Sequence, residues 1–171
     1  SNISFLDVGF GSGCILLSIL KERKDFKATG VDLSIDALKT CKINASNLGV
    51  TNRVRLFKSD IDKFSKGKYD LIISNPPYIK NLDLKYLEKD VRKFEPMQAL
   101  DGGLDGISEI RKTINKSSEL IKNGGKLILE IAYNQKKEVK QLLKMKGFYI
   151  NSVVKDFANN DRCIISTKIE N

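Results

Sequence analysis

The chain has 171 residues, 41% hydrophobic and 30% charged, enough for one domain with a core that needs no disulfide or metal. Its formal charge is +9, which leaves two readings open: an acidic or nucleic-acid partner, or lysine-rich solvated helix faces. Histidine is absent, which excludes a histidine triad, a histidine base and a histidine metal ligand, and no apolar run nears the ~20 residues that cross a bilayer.

Short apolar β-rich runs alternate with helical patterns along the whole chain. Ile3 to Val8 reads as a buried strand, and Cys14 to Leu20 as a helix presenting Ile15, Leu16, Ile19 and Leu20. Ala28 to Val31 is the second strand. Ser34 is the expected N-cap of a helix running to about Leu48, where Gly49 ends it. Val54 to Phe57 and Tyr69 to Ser74 are the third and fourth strands. The stretch from 75 to 105 breaks the rhythm, holds all three prolines, and is long enough to be functional. Ile107, Ile110, Ile114 and Ile121 mark the next helix, and Gly124-Gly125 turns the chain into a fifth strand over Lys126 to Ile131. A helix through Val139, Leu142 and Leu143 precedes two last strands, Phe148 to Val154 and Cys163 to Ile169. This order predicts an α/β fold: a mostly parallel seven-stranded sheet with helices on both faces and an antiparallel C-terminal hairpin. No repeat, low-complexity segment or internal boundary interrupts it.

Ser1 rather than Met opens the chain, and a core strand follows at once. The sequence therefore reads as a fragment of a longer protein. Cys14, Cys41 and Cys163 share no metal-binding spacing and read as free buried thiols, suited to a reducing cytoplasm.

Asp7-Val-Gly9-Phe10-Gly11-Ser-Gly13 joins the first strand to the first helix. Glycines there permit a tight turn and close approach of a ligand to the backbone. A dinucleotide loop wants G-x-G-x-x-G, but here the third glycine comes one residue early and Cys14 holds its place. The form resembles the S-adenosylmethionine loop of class I methyltransferases. Asp7 suits that ligand, since a carboxylate attracts an ammonium and repels a pyrophosphate. Asp32 ends the second strand, where an acid can accept both hydroxyls of a ribose; Leu33 follows it. Asp60, after the third strand, sits where the resemblance implies contact with the adenine amino group, with Ile61 packed on the ring. Phe10 is left between packing near the methionine end and simple exposure. Each acid alone also suits a cap or a turn; the ordered set points to a cofactor site.

Asn75-Pro76-Pro77-Tyr78 follows the fourth strand. It resembles the catalytic motif of methyltransferases acting on amino groups conjugated to a π system: adenine, cytosine or a glutamine amide. Such a nitrogen is planar and a poor nucleophile, yet keeps two N–H donors. The Asn75 side-chain oxygen and the Pro76 carbonyl can each accept one, fixing the nitrogen in line with a methyl donor. Proline presents its carbonyl rigidly, and Tyr78 can lie against the flat group. A simple strand-ending turn is the competing reading.

Asp90-Val91-Arg92-Lys93-Phe94-Glu95-Pro96, then Ala99-Leu100 and a glycine turn, resembles the release factor glutamine methyltransferases of the HemK type. The similarity runs from the glycine loop to Glu130 and on to Asn160-Asp161-Arg162. It implies methylation of the glutamine in the Gly-Gly-Gln loop of peptide-chain release factors, with S-adenosylhomocysteine as product. It implies no metal and no membrane. Members of that family carry a helical domain ahead of the catalytic one; nothing in this sequence corresponds to it. Arg92 and Glu95 are left between an internal ion pair and substrate contact, and Glu130 between a structural role and a site role.

Three alternatives stand beside this reading. Methylation of the adenine amino group in RNA or DNA fits N-P-P-Y and the charge, but needs a basic phosphate track, and the long loop mixes Asp83, Glu88, Asp90 and Glu95 with its lysines. A cofactor-binding module without turnover has no physical need of Asn75-Pro76-Pro77-Tyr78. A nicotinamide-dinucleotide domain is disfavoured by Cys14.

Overall fold

The computed structural model describes residues 2–76 and 104–169. Its seven strands are β1 (Ile3–Val8), β2 (Phe26–Asp32), β3 (Val54–Lys58), β4 (Tyr69–Ser74), β5 (Ile121–Glu130), β6 (Phe148–Lys155) and β7 (Asp161–Lys168). They form one sheet in the order β3-β2-β1-β4-β5-β7-β6. The first five neighbours pair in parallel, and β7 runs antiparallel to both β5 and β6. The described helices are α1 (Cys14–Glu22), α2 (Ile35–Asn47), α3 (Leu104–Leu120) and α4 (Lys136–Met145).

Alternation along the strands explains why both faces are covered. In β1, Phe5 and Leu6 point to opposite sides; in β4, Ile72 and Ile73 do the same. Phe5 and Ile73 pack with Leu16, Leu17 and Leu20 of α1 and with Cys41 and Ala45 of α2. Leu6 and Ile72 pack with Ile110 and Ile114 of α3 and with Val139, Leu142 and Leu143 of α4. Near-continuous apolar runs are what a parallel sheet buried on both faces requires.

Local signals set the helix ends. The Ser34 hydroxyl accepts from the Ala37 amide at 3.2 Å and caps α2, and Gly49 takes φ 67° just past its end. The hairpin between β6 and β7 turns through Asn159 at φ 66°, a residue type that tolerates this conformation.

The structure corrects four sequence expectations. Ile121 belongs to β5, not to the helix: α3 ends at Leu120, and Ile121 pairs with Tyr69. Gly124 and Gly125 lie within β5 as an irregularity, because pairing resumes only at Lys126 with Leu71. The buried face of α1 is Leu16, Leu17 and Leu20, while Ile15 is 38% exposed. Cys14, at the start of that helix, is exposed and Cys163 half-buried, so only Cys41 is a buried thiol.

Candidate active site

A cleft of about 710 Å³ opens at the carboxyl ends of the parallel strands. It lies beside the junction of β1 and β4, where the strand order reverses direction. Gly9 and Gly11, Asp32 and Leu33, Asp60 and Ile61, and Asn75 and Pro76 all line it. Residues from the ends of four separate strands therefore meet around one space.

The loop after β1 is shaped by Gly9, Gly11 and Gly13, with φ of 74°, 56° and 84°. A Cβ on Gly9 or Gly11 would meet nothing within 4 Å, so beside these two the bare backbone faces open space. Gly13 is different: a Cβ there would run into the Cys41 thiol and Leu17. The first pair shapes the turn and leaves room for a ligand; the third lets α1 and α2 approach each other.

Asp32 is held in place by the loops it serves. One carboxylate oxygen accepts from the Gly11 amide and the other from the Ser34 amide, both at 2.9 Å. The Asp32 carbonyl accepts from the Ser59 amide at 3.0 Å, which ties the β2 loop to the β3 loop. Asp60 caps the short 3-10 turn Ile61–Lys63, accepting from the Asp62 amide at 3.2 Å. Lys112 of α3 stands 3.9 Å from its other oxygen. Ile61 is buried, whereas Leu33 is 62% exposed and offers an apolar surface to the cleft.

Three expected site residues do not line the cleft. Phe10 is buried and covers Gly30, where a Cβ would strike its ring. Gly13 lies beneath the loop. Asp7 is only 2% exposed, and burial, reinforced by the charge of Asp32, pushes its carboxyl up to about 7 against a hydrogen bond from the Leu16 backbone. That bond explains its place. The N-cap of α1 is Gly13, which has no side chain to satisfy the first-turn amides. Asp7 lies beside that turn from β1, with the Leu16 amide alone acting on its carboxyl. Cys41 is packed beside it, its thiol raised to about 11 by burial and by the two acids.

Several lining residues carry no local sequence signal. Glu109 and Thr113, one turn apart on α3, form part of the wall, and Ser59, Ser74 and Glu130 complete it. Ser74 donates to the Val8 carbonyl at 3.3 Å. Glu130 lies opposite Cys163 in the sheet and raises the thiol of that residue by its charge, after burial. Pro77, Tyr78, Arg92 and Glu95 fall outside the described residues. Among the described residues no group of histidine, cysteine or acid side chains is placed to hold a metal, and no helix is long and apolar enough to cross a membrane.

The family model "Methyltransferase domain" matches residues 1–168. A release factor glutamine methyltransferase of Caulobacter vibrioides is 39% identical over 166 residues, 96% of this chain and 57% of that protein. The protein of the same name from Clostridium acetobutylicum is 37% identical over 165 residues, 95% of this chain and 58% of its own length. The chain thus spans just over half the length of these relatives. Among solved structures, a ribosomal protein L11 methylase of Lactobacillus delbrueckii subsp. bulgaricus superposes with a TM-score of 0.73 at 17% identity, covering 99% of this chain and 72% of that one.

Proposed function

The chain belongs to the methyltransferase domain family, and from that premise we propose that it moves a methyl group from S-adenosylmethionine to the side-chain amide nitrogen of the glutamine in the Gly-Gly-Gln loop of peptide-chain release factors. One observation carries the reading: Asn75 and Pro76, at the end of β4, share a cleft with Gly11, Asp32 and Asp60. A cofactor grip and an amide grip then face the same space.

The residues present fit the cofactor. Open space beside Gly9 and Gly11 lets a ligand lie on the backbone. Asp32 spends one acceptor site of each oxygen on the Gly11 and Ser34 amides. A carboxylate has about four such sites, so roughly two stay available for the two hydroxyls of a ribose. The two amide bonds hold the acid in position before any ligand arrives. Ile61 and Leu33 supply apolar surfaces for a flat base. Asp60 can accept from an exocyclic amine, in competition with Lys112.

When bound, S-adenosylmethionine supplies a methyl on a sulfonium and leaves as S-adenosylhomocysteine. The chain's own task is to hold the amide. The Asn75 oxygen and the Pro76 carbonyl accept its two N–H groups, and Pro77 and Tyr78 complete the sequence motif. Those two oxygens also place negative dipoles where positive charge grows on nitrogen. The charged nitrogen then loses a proton to water, so the absence of histidine is no obstacle. Asp7 is buried and outside the cleft, so it takes no direct part in this scheme.

The same reading makes the chain the catalytic part of a longer protein that works on release factors in the cytoplasm, without membrane or metal. Labelled cofactor should be offered to the full-length protein with a release factor, with that factor carrying glutamine-to-alanine in its loop, and with bulk RNA. Label on the first alone supports glutamine methylation. Label on RNA instead would favour the adenine reading, to which the +9 charge lends support.

A further inference from the structure

A second cavity of about 560 Å³ lies on the same edge of the sheet as the active cleft. Lys136, Lys137, Lys140 and Lys144 of α4 line it, with Tyr133 at its rim. The one acid in its wall, Asp161, is already paired with Lys136 at 3.2 Å. Lys137, Lys140 and Lys144 fall three, four and seven residues apart, the spacing of one helix face. Lys137 and Lys144 are exposed, and the opposite face of α4 is the buried Val139, Leu142 and Leu143. The cavity is therefore a cationic groove built on a helix that the core holds rigidly.

Its position relates it to the chemistry. Glu130 lines the active cleft and Tyr133, three positions further on, lines the groove, with two residues between them. Three steps of extended chain span at most about 10 Å. The intervening rim is fixed: the Ile131 amide donates to the Arg162 carbonyl at 2.8 Å, and the Ala132 amide donates to the Gln135 side chain at 2.9 Å. The Gln135 amide donates back to the Ala132 carbonyl at 3.0 Å. A polypeptide whose acceptor residue occupies the cleft can run over this rim and meet the groove after about three residues.

We propose that the groove lined by Lys137, Lys140, Lys144 and Tyr133 docks an acidic segment of the protein substrate lying about three residues from the methylated one. This rests on the reading of the cleft as a site for a protein amide. A polypeptide is favoured over RNA because the groove continues the acceptor cleft at peptide spacing. It also offers one exposed aromatic, not the series on which bases stack. The groove contains no arginine to clamp a phosphate by two bonds.

The test uses the full-length protein and its triple variant Lys137→Gln, Lys140→Gln, Lys144→Gln. These side chains leave the core of α4 untouched and lie outside the cleft. Two readouts are taken: steady-state methylation of a release factor at several salt concentrations, and titration with a fluorescent glutamate-rich peptide and with an oligouridylate. The expected result is a rise of roughly tenfold in KM for the protein substrate, with kcat and cofactor affinity unchanged and a weaker dependence on salt. The peptide should bind the wild type and lose its affinity in the variant. Peptide binding that is absent, or equal in both proteins, overturns the proposal. So does oligouridylate binding that is tighter than the peptide and lost in the variant. A wild type that methylates no release factor sinks the glutamine reading, while the two titrations still decide what the groove binds.

Discussion

The two sides of the sheet's carboxyl edge are built on different principles. At the ends of β1, β2 and β3 the functional groups are short and locked: Asp32 by two backbone amides, Asp60 by a 3-10 turn, Asp7 by the start of α1. Beyond β5, α4 carries long lysines whose charge reaches outward from a buried apolar stripe. A small ligand of fixed shape rewards preorganised acceptors, since little remains to be ordered on binding. A macromolecular partner rewards charge that acts at a distance and tolerates variation in approach. Between the two lies the end of β4, where Asn75 and Pro76 line the cleft and, on the proposed reading, hold the acceptor.

The sharpest way to break this division is Asn75→Ala. With a positioned acceptor removed from the reacting nitrogen, kcat should fall on the order of 10³-fold, the scale seen when a preorganised dipole is deleted. Cofactor affinity should barely move. Single-turnover kinetics and calorimetry on the same variant separate the two, and parallel losses in both would show that Asn75 belongs to the cofactor side. The converse test is Asp32→Ala. Losing two charge-assisted bonds costs about 3 kcal/mol, roughly a hundredfold in cofactor affinity. Asp32→Asn, which keeps one acceptor oxygen, should fall between. Calorimetric affinity unchanged in both variants would remove Asp32 from the site and leave it a loop tie.

That Gly9, Gly11, Asp32 and Asp60 share one cleft was legible in the sequence, because what places them is local. A turn with three positive φ angles calls for glycines, and strand ends that meet a polar ligand call for acids. The sheet was legible as well, since runs such as Phe5-Leu6 and Ile72-Ile73 have no amphipathic alternative to burial on both faces. What escaped depended on tertiary geometry. Ile121 keeps helical phase with Ile114, seven residues before it, and only pairing with Tyr69 draws it into β5. Ile15 looked like part of the buried face of α1, but close packing of Gly13 against Leu17 and Cys41 fixes the rotation that exposes it. Glu109 and Thr113 reach the cleft because α3 packs against the 3-10 turn after Asp60, which no spacing along α3 announces. Asp7 was read as a cleft acid and lies outside the cleft, beside a helix that starts seven residues later, behind the loop.

The smallest expected effect concerns that acid, and it probes how the rigid side is held. The Asp7 carboxyl is raised from 3.8 to about 7, first by burial and then by Asp32, with the Leu16 amide working the other way. A carboxyl raised on folding binds its proton more tightly in the native state, so its contribution to stability is complete below 3.8 and is lost as pH climbs through about 7. Asp70 and Asp156 behave oppositely. Burial opposes the shift of Asp70, but hydrogen bonds from Lys122 and Ser4 outweigh it; the Asn160 amide and Arg162 depress Asp156. Their contributions are lost at the acid end, below the Asp7 window. Asp7→Asn keeps an oxygen for the Leu16 amide and removes the titration. Near pH 4 both proteins carry an uncharged side chain there and should unfold at similar denaturant concentrations. As pH rises towards 7 the asparagine protein should become the more stable, the difference should level off above about 8, and it should vanish when the pH is brought back to 4. Ligand-free denaturant curves at a series of pH values measure it. A constant gap across that range would mean that Asp7 is ionised throughout.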